Sequence, residues 1–140
     1  MSGVALVELL LVIALIGLAV FIYVPYLRSF QRANDLNIAV EVVKQSIARA
    51  QARALAGEGD SDWGVKIEEK KVTVFRGSGF SGHNPKDDEV YRLPGLAVSG
   101  QSEMVFEKLS GRLLAGPGQS AAGFGLGEEN LTVNSYGVIE

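Results

Sequence analysis

The sequence predicts an α+β chain in which one long N-terminal helix precedes an antiparallel β-sheet head. Three observations predict this class. Residues 4–24 form one apolar run, a stripe of apolar residues then continues at helical spacing as far as Ala54, and residues 57–140 hold short apolar runs separated by turn residues. A chain of 140 residues has room for one small domain and an appendage.

Charge is distributed unevenly along the chain. Residues 1–56 carry 5 Lys and Arg against 3 Asp and Glu, whereas residues 57–140 carry 8 against 13. The acidic C-terminal part argues against sequence-independent binding of nucleic acid, because such binding needs a basic face. The chain has no cysteine, which excludes a disulfide framework, a thiolate zinc site and a cysteine nucleophile.

The apolar run at residues 4–24 is long enough to cross a membrane. As a helix it measures about 31 Å, against a hydrocarbon core of about 30 Å. A cleaved secretory signal peptide would carry basic residues before the run and small residues after it. Residues 1–3 are not basic, and Tyr23 and Pro25 close the run. The sequence therefore predicts a transmembrane helix.

Glu8 is the only charged residue in this run. A carboxylate in the middle of a spanning helix costs about 2.5 to 3.5 kcal/mol, so residues of this kind tend to have a function. Because Glu8 is only four residues after Val4, its side chain could instead extend to the lipid headgroups. Its position alone leaves both interpretations open.

Gly3 and the following residues, VALVELLLVIALIGLAVFIYVP, resemble the N-terminus of type IV pilins and type II secretion pseudopilins. In that family a prepilin peptidase cuts after the glycine, methylates the new N-terminus and leaves a glutamate as the fifth residue. The resemblance implies cleavage after Gly3, methylation of Val4 and a glutamate position at Glu8. Gly17 and Pro25 match the helix glycine and the helix-kinking proline of many members.

The resemblance implies a structural subunit of a pilus or secretion pseudopilus, with no catalytic residues, no cofactor and no metal. Its partners would be the prepilin peptidase, the membrane and other subunits, which it would meet through the N-terminal helix. The Glu8 carboxylate would pair with the freed amino group of a neighbouring subunit and fix the register between them, since a charge in a low dielectric is tolerated mainly when it is paired.

The resemblance also implies an orientation, with the helix in the cytoplasmic (inner) membrane and the head outside the cytoplasm. Arg28 and Arg32, taken alone under the positive-inside rule, would place the head in the cytoplasm. We follow the motif, since two arginines set topology weakly. The alternative function is an unprocessed single-pass membrane protein whose β head binds a ligand or partner.

Four segments follow from these patterns: a leader at 1–3, a transmembrane and assembly helix at 4–25, an amphipathic helix of the head at 26–57, and a β-rich head at 58–140. Pro25 should kink the helix rather than end it, because the helical pattern resumes beyond it. The apolar stripe of the second half comprises Leu36, Val40, Val43, Ile47, Ala50 and Ala54. The remaining faces of this helix are polar and should be exposed to water. They carry Asn34, Glu41, Lys44, Gln45, Arg49 and Arg53.

Gly57 and Gly59 should stop the helix. Beyond them, seven short runs predict antiparallel strands, at 63–67, 71–75, 89–93, 96–99, 104–109, 130–134 and 137–140. Turns are expected at 68–70 and at Ser110 and Gly111. The run MVFEKL with the following Ser110-Gly111-Arg112-Leu113, and the closing NLTVNSYGVIE, are similar to H-type minor pseudopilins and related minor pilins.

Two local patterns suggest other chemistry. Residues 77–82 spell G-x-G-x-x-G, but no helix is predicted to follow, so we interpret the glycines as a hairpin loop rather than a dinucleotide site. His83, Asp87, Asp88 and Glu89 could form a metal or acid–base cluster; we expect a solvated histidine instead, with a calcium site as the alternative. His83 is the only histidine, and no G-x-S-x-G elbow is present, so no serine triad is expected.

The aromatic residues of the head are expected in its core. They are Trp63, Phe80, Tyr91, Phe106, Phe124 and Tyr136. Phe80 and Phe124 lie among glycines and are also candidates for exposed binding anchors. The uncharged segment 114–127 is predicted to be a long loop, suited to variable surface function or subunit contacts.

Overall fold

The computed structural model describes residues 2–114 and 121–139. These residues form one α-helix, α1 (Ser2–Leu55), and seven strands, which confirms the α+β class. The strands are β1 (Trp63–Glu68), β2 (Lys71–Arg76), β3 (Glu89–Arg92), β4 (Val98–Gly100), β5 (Glu103–Phe106), β6 (Ala121–Leu126) and β7 (Glu129–Asn134).

The chain divides into two compact units, residues 1–35 and residues 36–140. In the first unit, every described residue belongs to α1. The helix runs through Pro25 and ends only at Leu55, so the proline does not terminate it. The second unit contains the rest of α1 and all seven strands.

One stripe of α1 is buried in the second unit. Leu36 and Val40, the first two residues of the predicted stripe, are half-buried against the core. The next four are fully buried as predicted, and Ala39 joins them although the pattern did not include it. Since their spacings of four and three residues place them on one helix face, the remaining faces can carry charge. The fully buried members are Ala39, Val43, Ile47, Ala50 and Ala54.

The first sheet has the strand order β3-β2-β1-β5, and all its neighbours are antiparallel. Glu68 pairs with Lys71, so β1 and β2 are joined by the predicted tight turn. Alternate residues of these strands face the core that also contains the stripe of α1. The core residues from this sheet and its connections are Trp63, Val65, Ile67, Val72, Val74, Leu93, Met104 and Phe106.

The second sheet has the order β4-β6-β7, and its central strand was not predicted. Residues 121–126 of the expected loop form β6, while residues 115–120 of that loop lie outside the described residues. Phe124 is 2% exposed, so the expectation of an exposed anchor there is wrong. The predicted strand at 137–140 is also wrong, because Ile139 makes only an isolated bridge to Val133 and residue 140 lies outside the described part.

Glycine geometry ends the helix where the sequence predicts it. Gly57 adopts a left-handed conformation with φ of 63°, and its amide donates to the Ala54 carbonyl at 3.0 Å. The amide of Leu109 donates to the same carbonyl at 2.8 Å. The predicted turn at Ser110 and Gly111 therefore lies against the end of α1.

Replacing Phe124 with alanine tests the placement of β6 in the core. We expect Phe124→Ala to lower the free energy of unfolding by about 3 to 5 kcal/mol, because it removes a buried ring. Urea unfolding of the full chain in detergent micelles, followed by the fluorescence of the single tryptophan, Trp63, measures this change.

Tyr136 supplies the matched control, because its side chain is 70% exposed. Tyr136→Ala should change stability by no more than about 0.5 kcal/mol. Equal and small effects of both substitutions would contradict a buried β6.

Candidate functional site

The surface of α1 at residues 4–24 is apolar on all sides, and its residues are exposed. Within the described residues, α1 is the one helix long and apolar enough to cross a membrane, with a mean hydropathy of 3.0 over its most apolar 18 residues. None of that window is buried, and Val4 and Phe21 are 75% and 79% exposed. A helix that is apolar on every face needs lipid or other helices around it.

Glu8 lies in this surface, and its side chain is exposed. Among the described residues, its carboxylate has no hydrogen-bond or ion-pair partner. Its neighbours one helical turn away are Val4, Ala5, Leu11 and Val12, which offer no side-chain donor. The described residues therefore provide no partner for this charge.

Gly17 makes no packing contact with the other described residues. A Cβ built on it meets no atom within 4 Å, and its backbone is not left-handed. A glycine inside a helix costs about 1 kcal/mol relative to alanine, so the residue is unfavourable for the isolated helix. Small residues in membrane helices allow a second helix to approach closely.

Aromatic and charged residues follow the apolar surface. Tyr23, Tyr26 and Phe30 are more than half exposed, and their spacing of three and four residues places them on one face of α1. Tyrosine is enriched at membrane–water interfaces because its ring is apolar and its hydroxyl is polar. Arg28 and Arg32 extend the polar region that begins here.

All the residues of the predicted processing and register motif belong to one helix. Gly3, Val4, Glu8, Gly17 and Pro25 lie in α1, while Met1 is outside the described residues. Because they share one continuous helix, their sequence spacing fixes their rise along the axis. Val4 and Glu8 are separated by about 6 Å of rise and lie on the same face.

In the head, the structure divides the four residues of the candidate metal or acid–base cluster among different partners. His83 pairs with Asp88 at 2.8 Å, and Asp87 pairs with Arg76 at 2.8 Å. Glu89 turns to α1, where it pairs with Arg49 and Arg53. Among the described residues, no three His, Cys, Asp or Glu side chains are grouped as metal ligands.

His83 is not solvated as expected, because only 10% of its side chain is exposed. Its ring stacks on Phe80 with the centroids 4.5 Å apart, so Phe80 is half-buried rather than an exposed anchor. The G-x-G-x-x-G segment lies in the connection between β2 and β3, which pair antiparallel as a hairpin. Of the remaining aromatic residues, Trp63 and Phe106 are in the core, Tyr91 is partly buried, and Tyr136 is exposed against expectation.

Sequence reasoning missed the cluster that joins α1 to β3. Arg53 was expected on a wet face, but only 19% of its side chain is exposed, and its guanidinium lies 4.6 Å from the centre of the Trp63 ring. The Tyr91 hydroxyl donates to Glu89 at 2.7 Å. The missed signal was the spacing of Arg49 and Arg53, which places two cations on one face of the helix.

Comparisons of the chain with protein-family models, with curated proteins and with solved structures found no match in any of the three.

Substituting Glu89 tests the cluster between α1 and β3. Burial raises the pKa of Glu89, but the Tyr91 hydrogen bond and the charges of Arg53 and Arg49 outweigh it and hold the pKa below the ordinary 4.5. Because the folded-state pKa is depressed, this stabilisation is complete above about pH 4.5 and is lost as the pH falls through the folded-state value. We expect Glu89→Gln to cost about 1 to 3 kcal/mol at pH 7 and progressively less in acid.

Urea unfolding of both proteins between pH 3 and pH 7 measures the difference. Glu41→Gln is the control, because Glu41 is an exposed glutamate of α1 that accepts only from Gln45 in the described structure. It should cost less than about 0.5 kcal/mol at pH 7. A loss of stability in Glu89→Gln that does not change with pH would contradict the assignment of this stabilisation to the ionised Glu89 carboxylate.

Proposed function

We propose that the chain is a non-enzymatic structural subunit of the prepilin type, a minor pilin or pseudopilin. In this proposal the chain is cleaved after Gly3, methylated on Val4, and assembled through α1 into a type IV pilus or a type II secretion pseudopilus. The observation that carries the proposal is a helix whose apolar surface at 4–24 is uncovered while its one carboxylate, Glu8, has no partner among the described residues.

In the proposed assembly, a neighbouring subunit supplies the positively charged partner that Glu8 lacks among the described residues. Cleavage before Val4 leaves a positively charged amino group at the start of the helix. Val4 and Glu8 are one helical turn apart, so a small axial offset between two parallel copies brings the amino group of one beside the carboxylate of the other. Such a pair offsets the cost of burying each charge, and it is satisfied in one register only.

Gly17 supports the same arrangement. The space beside it, which no described residue fills, leaves room for a second helix to approach the α1 backbone. Before assembly, lipid would cover the same surface, with the chain in the cytoplasmic (inner) membrane and its head outside the cytoplasm. The head carries more acidic than basic residues, which argues against DNA capture by the head itself.

Intact-mass analysis tests processing. The chain, extracted from membranes of cells with an active prepilin peptidase, should lack residues 1–3 and carry one methyl group on Val4. An intact N-terminus in those cells would contradict the proposal and favour a single-pass membrane protein with a binding head.

Replacing Glu8 tests the register role. We expect Glu8→Gln to reduce incorporation into filaments about tenfold or more, because the amino group of the neighbour would be buried without its counter-ion. Membrane insertion should be unchanged or improved, since a charge is removed from the spanning segment. Incorporation is measured as the ratio of filament to membrane fractions.

Glu41→Gln is the matched control, because it makes the same chemical change at an exposed position of α1 in the head. It should assemble like the unsubstituted chain. Normal incorporation of Glu8→Gln would remove the register role even if processing occurs.

A further inference from the structure

The segment between β2 and β3, residues 77–88, covers the outer face of the first sheet. In β2, Val72 and Val74 face the core shared with α1, so Thr73 and Phe75 face the opposite side. Nevertheless Thr73 is 2% exposed and Phe75 is fully buried. The rings of Phe80 and His83 each lie 5.4 Å from the Phe75 ring, centre to centre, and provide the cover.

Polar contacts hold this segment in place. The Phe80 amide donates to Glu103 Oε1 on β5 at 2.8 Å. His83 Nδ1 lies 2.5 Å from the Phe80 carbonyl oxygen, and His83 Nε2 lies 2.8 Å from Asp88 Oδ2. The side chains of His83 and Asp88 are only 10% and 15% exposed. His83 therefore bridges Phe80 and Asp88 within the segment.

The two partners of His83 are both hydrogen-bond acceptors. A carbonyl oxygen cannot donate, and an ionised carboxylate only accepts. A neutral imidazole has one N–H and can satisfy only one of them, whereas the imidazolium has two. Since imidazole is a stronger base than a carboxylate, the shared proton belongs to the ring. The closed geometry therefore requires a charged His83.

We propose that residues 77–88 form a latch over Phe75 that is closed by the imidazolium of His83 and released when that ring loses its proton. On deprotonation the ring keeps one hydrogen bond and gives up the other. Asp88 Oδ1 is already buried without a partner among the described residues, so a ring that loses its Nε2 proton leaves the whole carboxylate unsatisfied. A ring that loses its Nδ1 proton instead places a lone pair against the Phe80 carbonyl oxygen, 2.5 Å away. Opening the segment restores water to both groups.

The surrounding charges favour the protonated ring and therefore the closed state. Asp88 on the segment and Glu103 on β5 are the acidic groups that face His83. The nearby cations are paired elsewhere, Lys66 of β1 with Glu103 at 3.6 Å and Arg76 of β2 with Asp87 at 2.8 Å.

The contacts of the His83 ring also change its pKa. The hydrogen bond to Asp88, the bond to the Phe80 carbonyl and the negative charges together raise the pKa of His83 above its ordinary 6.5, against a smaller opposing effect of burial. Because the closed-state pKa is raised, the latch is fully stabilised below about pH 6.5 and weakens as the pH rises through the closed-state value.

Opening would expose Phe75 and the outer face of β1, β2 and β5. Gly64 of β1 lies directly under the Phe75 ring, and a Cβ there would collide with it. Gly64 therefore offers no side chain of its own to cover the Phe75 ring when Phe80 and His83 move away. The latch makes an apolar surface of the head available at alkaline pH and conceals it at acidic pH.

The single histidine makes the experiment direct. In the full chain in detergent micelles, ring ¹⁵N chemical shifts report the charge of His83, and hydrogen exchange of the Phe80 amide reports whether the latch is closed. We expect a His83 pKa above 6.5. Protection of the Phe80 amide, corrected for intrinsic exchange, should be about tenfold greater at pH 6 than at pH 9, the equivalent of one hydrogen bond to a charged group.

Two substitutions and one control separate the latch from general loosening of the head. His83→Gln should abolish the pH dependence of Phe80 protection, and Asp88→Asn should lower the His83 pKa, because it removes the acceptor charge that favours the imidazolium. Asp87→Asn makes the same charge change next to Asp88 but removes only the pair with Arg76, so it should shift the His83 pKa by less. A His83 pKa at or below 6.5 in the unsubstituted chain, or Phe80 protection that does not change with pH, would overturn the proposal.

Discussion

The structure depends on how the apolar surfaces of one long helix are covered. At residues 36–54 the apolar side chains of α1 form a stripe, and two small sheets bury it. At residues 4–24 they occupy every face, and none of the most apolar window is buried among the described residues. The first pattern produces a self-contained head, whereas the second leaves a surface that only lipid or other helices can cover. The proposed assembly uses that surface twice, first against lipid and then against other copies of the chain.

Two glutamates of the chain carry the same charge in different electrostatic surroundings. Glu89 forms ion pairs with Arg49 and Arg53 and accepts a hydrogen bond from the Tyr91 hydroxyl, and the ion pairs tie β3 to the helix. Glu8 lies in an apolar surface and receives no such partner from the described residues. An ion pair stabilises the structure that brings its two charges together. The group that pairs with Glu8 therefore determines which assembly the pair stabilises. In the proposed filament that partner is the amino group of a neighbouring Val4.

Much of this fold can be predicted from the sequence, because period and length are visible there. The four-and-three spacing at Val43, Ile47, Ala50 and Ala54 identifies the buried stripe, and most strands follow from short apolar runs between turns. The strand β6 could not be predicted in this way. Its buried residues Ala122, Phe124 and Leu126 alternate with Gly123 and Gly125, and glycine signals loops.

The neighbouring strands leave no room for a side chain at Gly125, since a Cβ there would collide with Ser99 of β4 and crowd Asn130 of β7. Such crowding appears only when the strands are paired. The same holds for the candidate site in the head. His83 stands among acidic residues in the sequence, but its role follows from Phe75, Phe80 and Glu103, which the sheet and its hairpin bring together.

The contact between Val4 of one subunit and Glu8 of another can be measured directly in assembled filaments. Filaments assembled from an equal mixture of subunits labelled with ¹⁵N-valine and subunits labelled with ¹³C-glutamate can be examined by solid-state NMR, in which only contacts between subunits transfer magnetisation from ¹⁵N to ¹³C. The account predicts a correlation between the Val4 nitrogen and the Glu8 carboxylate carbon in these mixed filaments. Filaments that form without this correlation would contradict it.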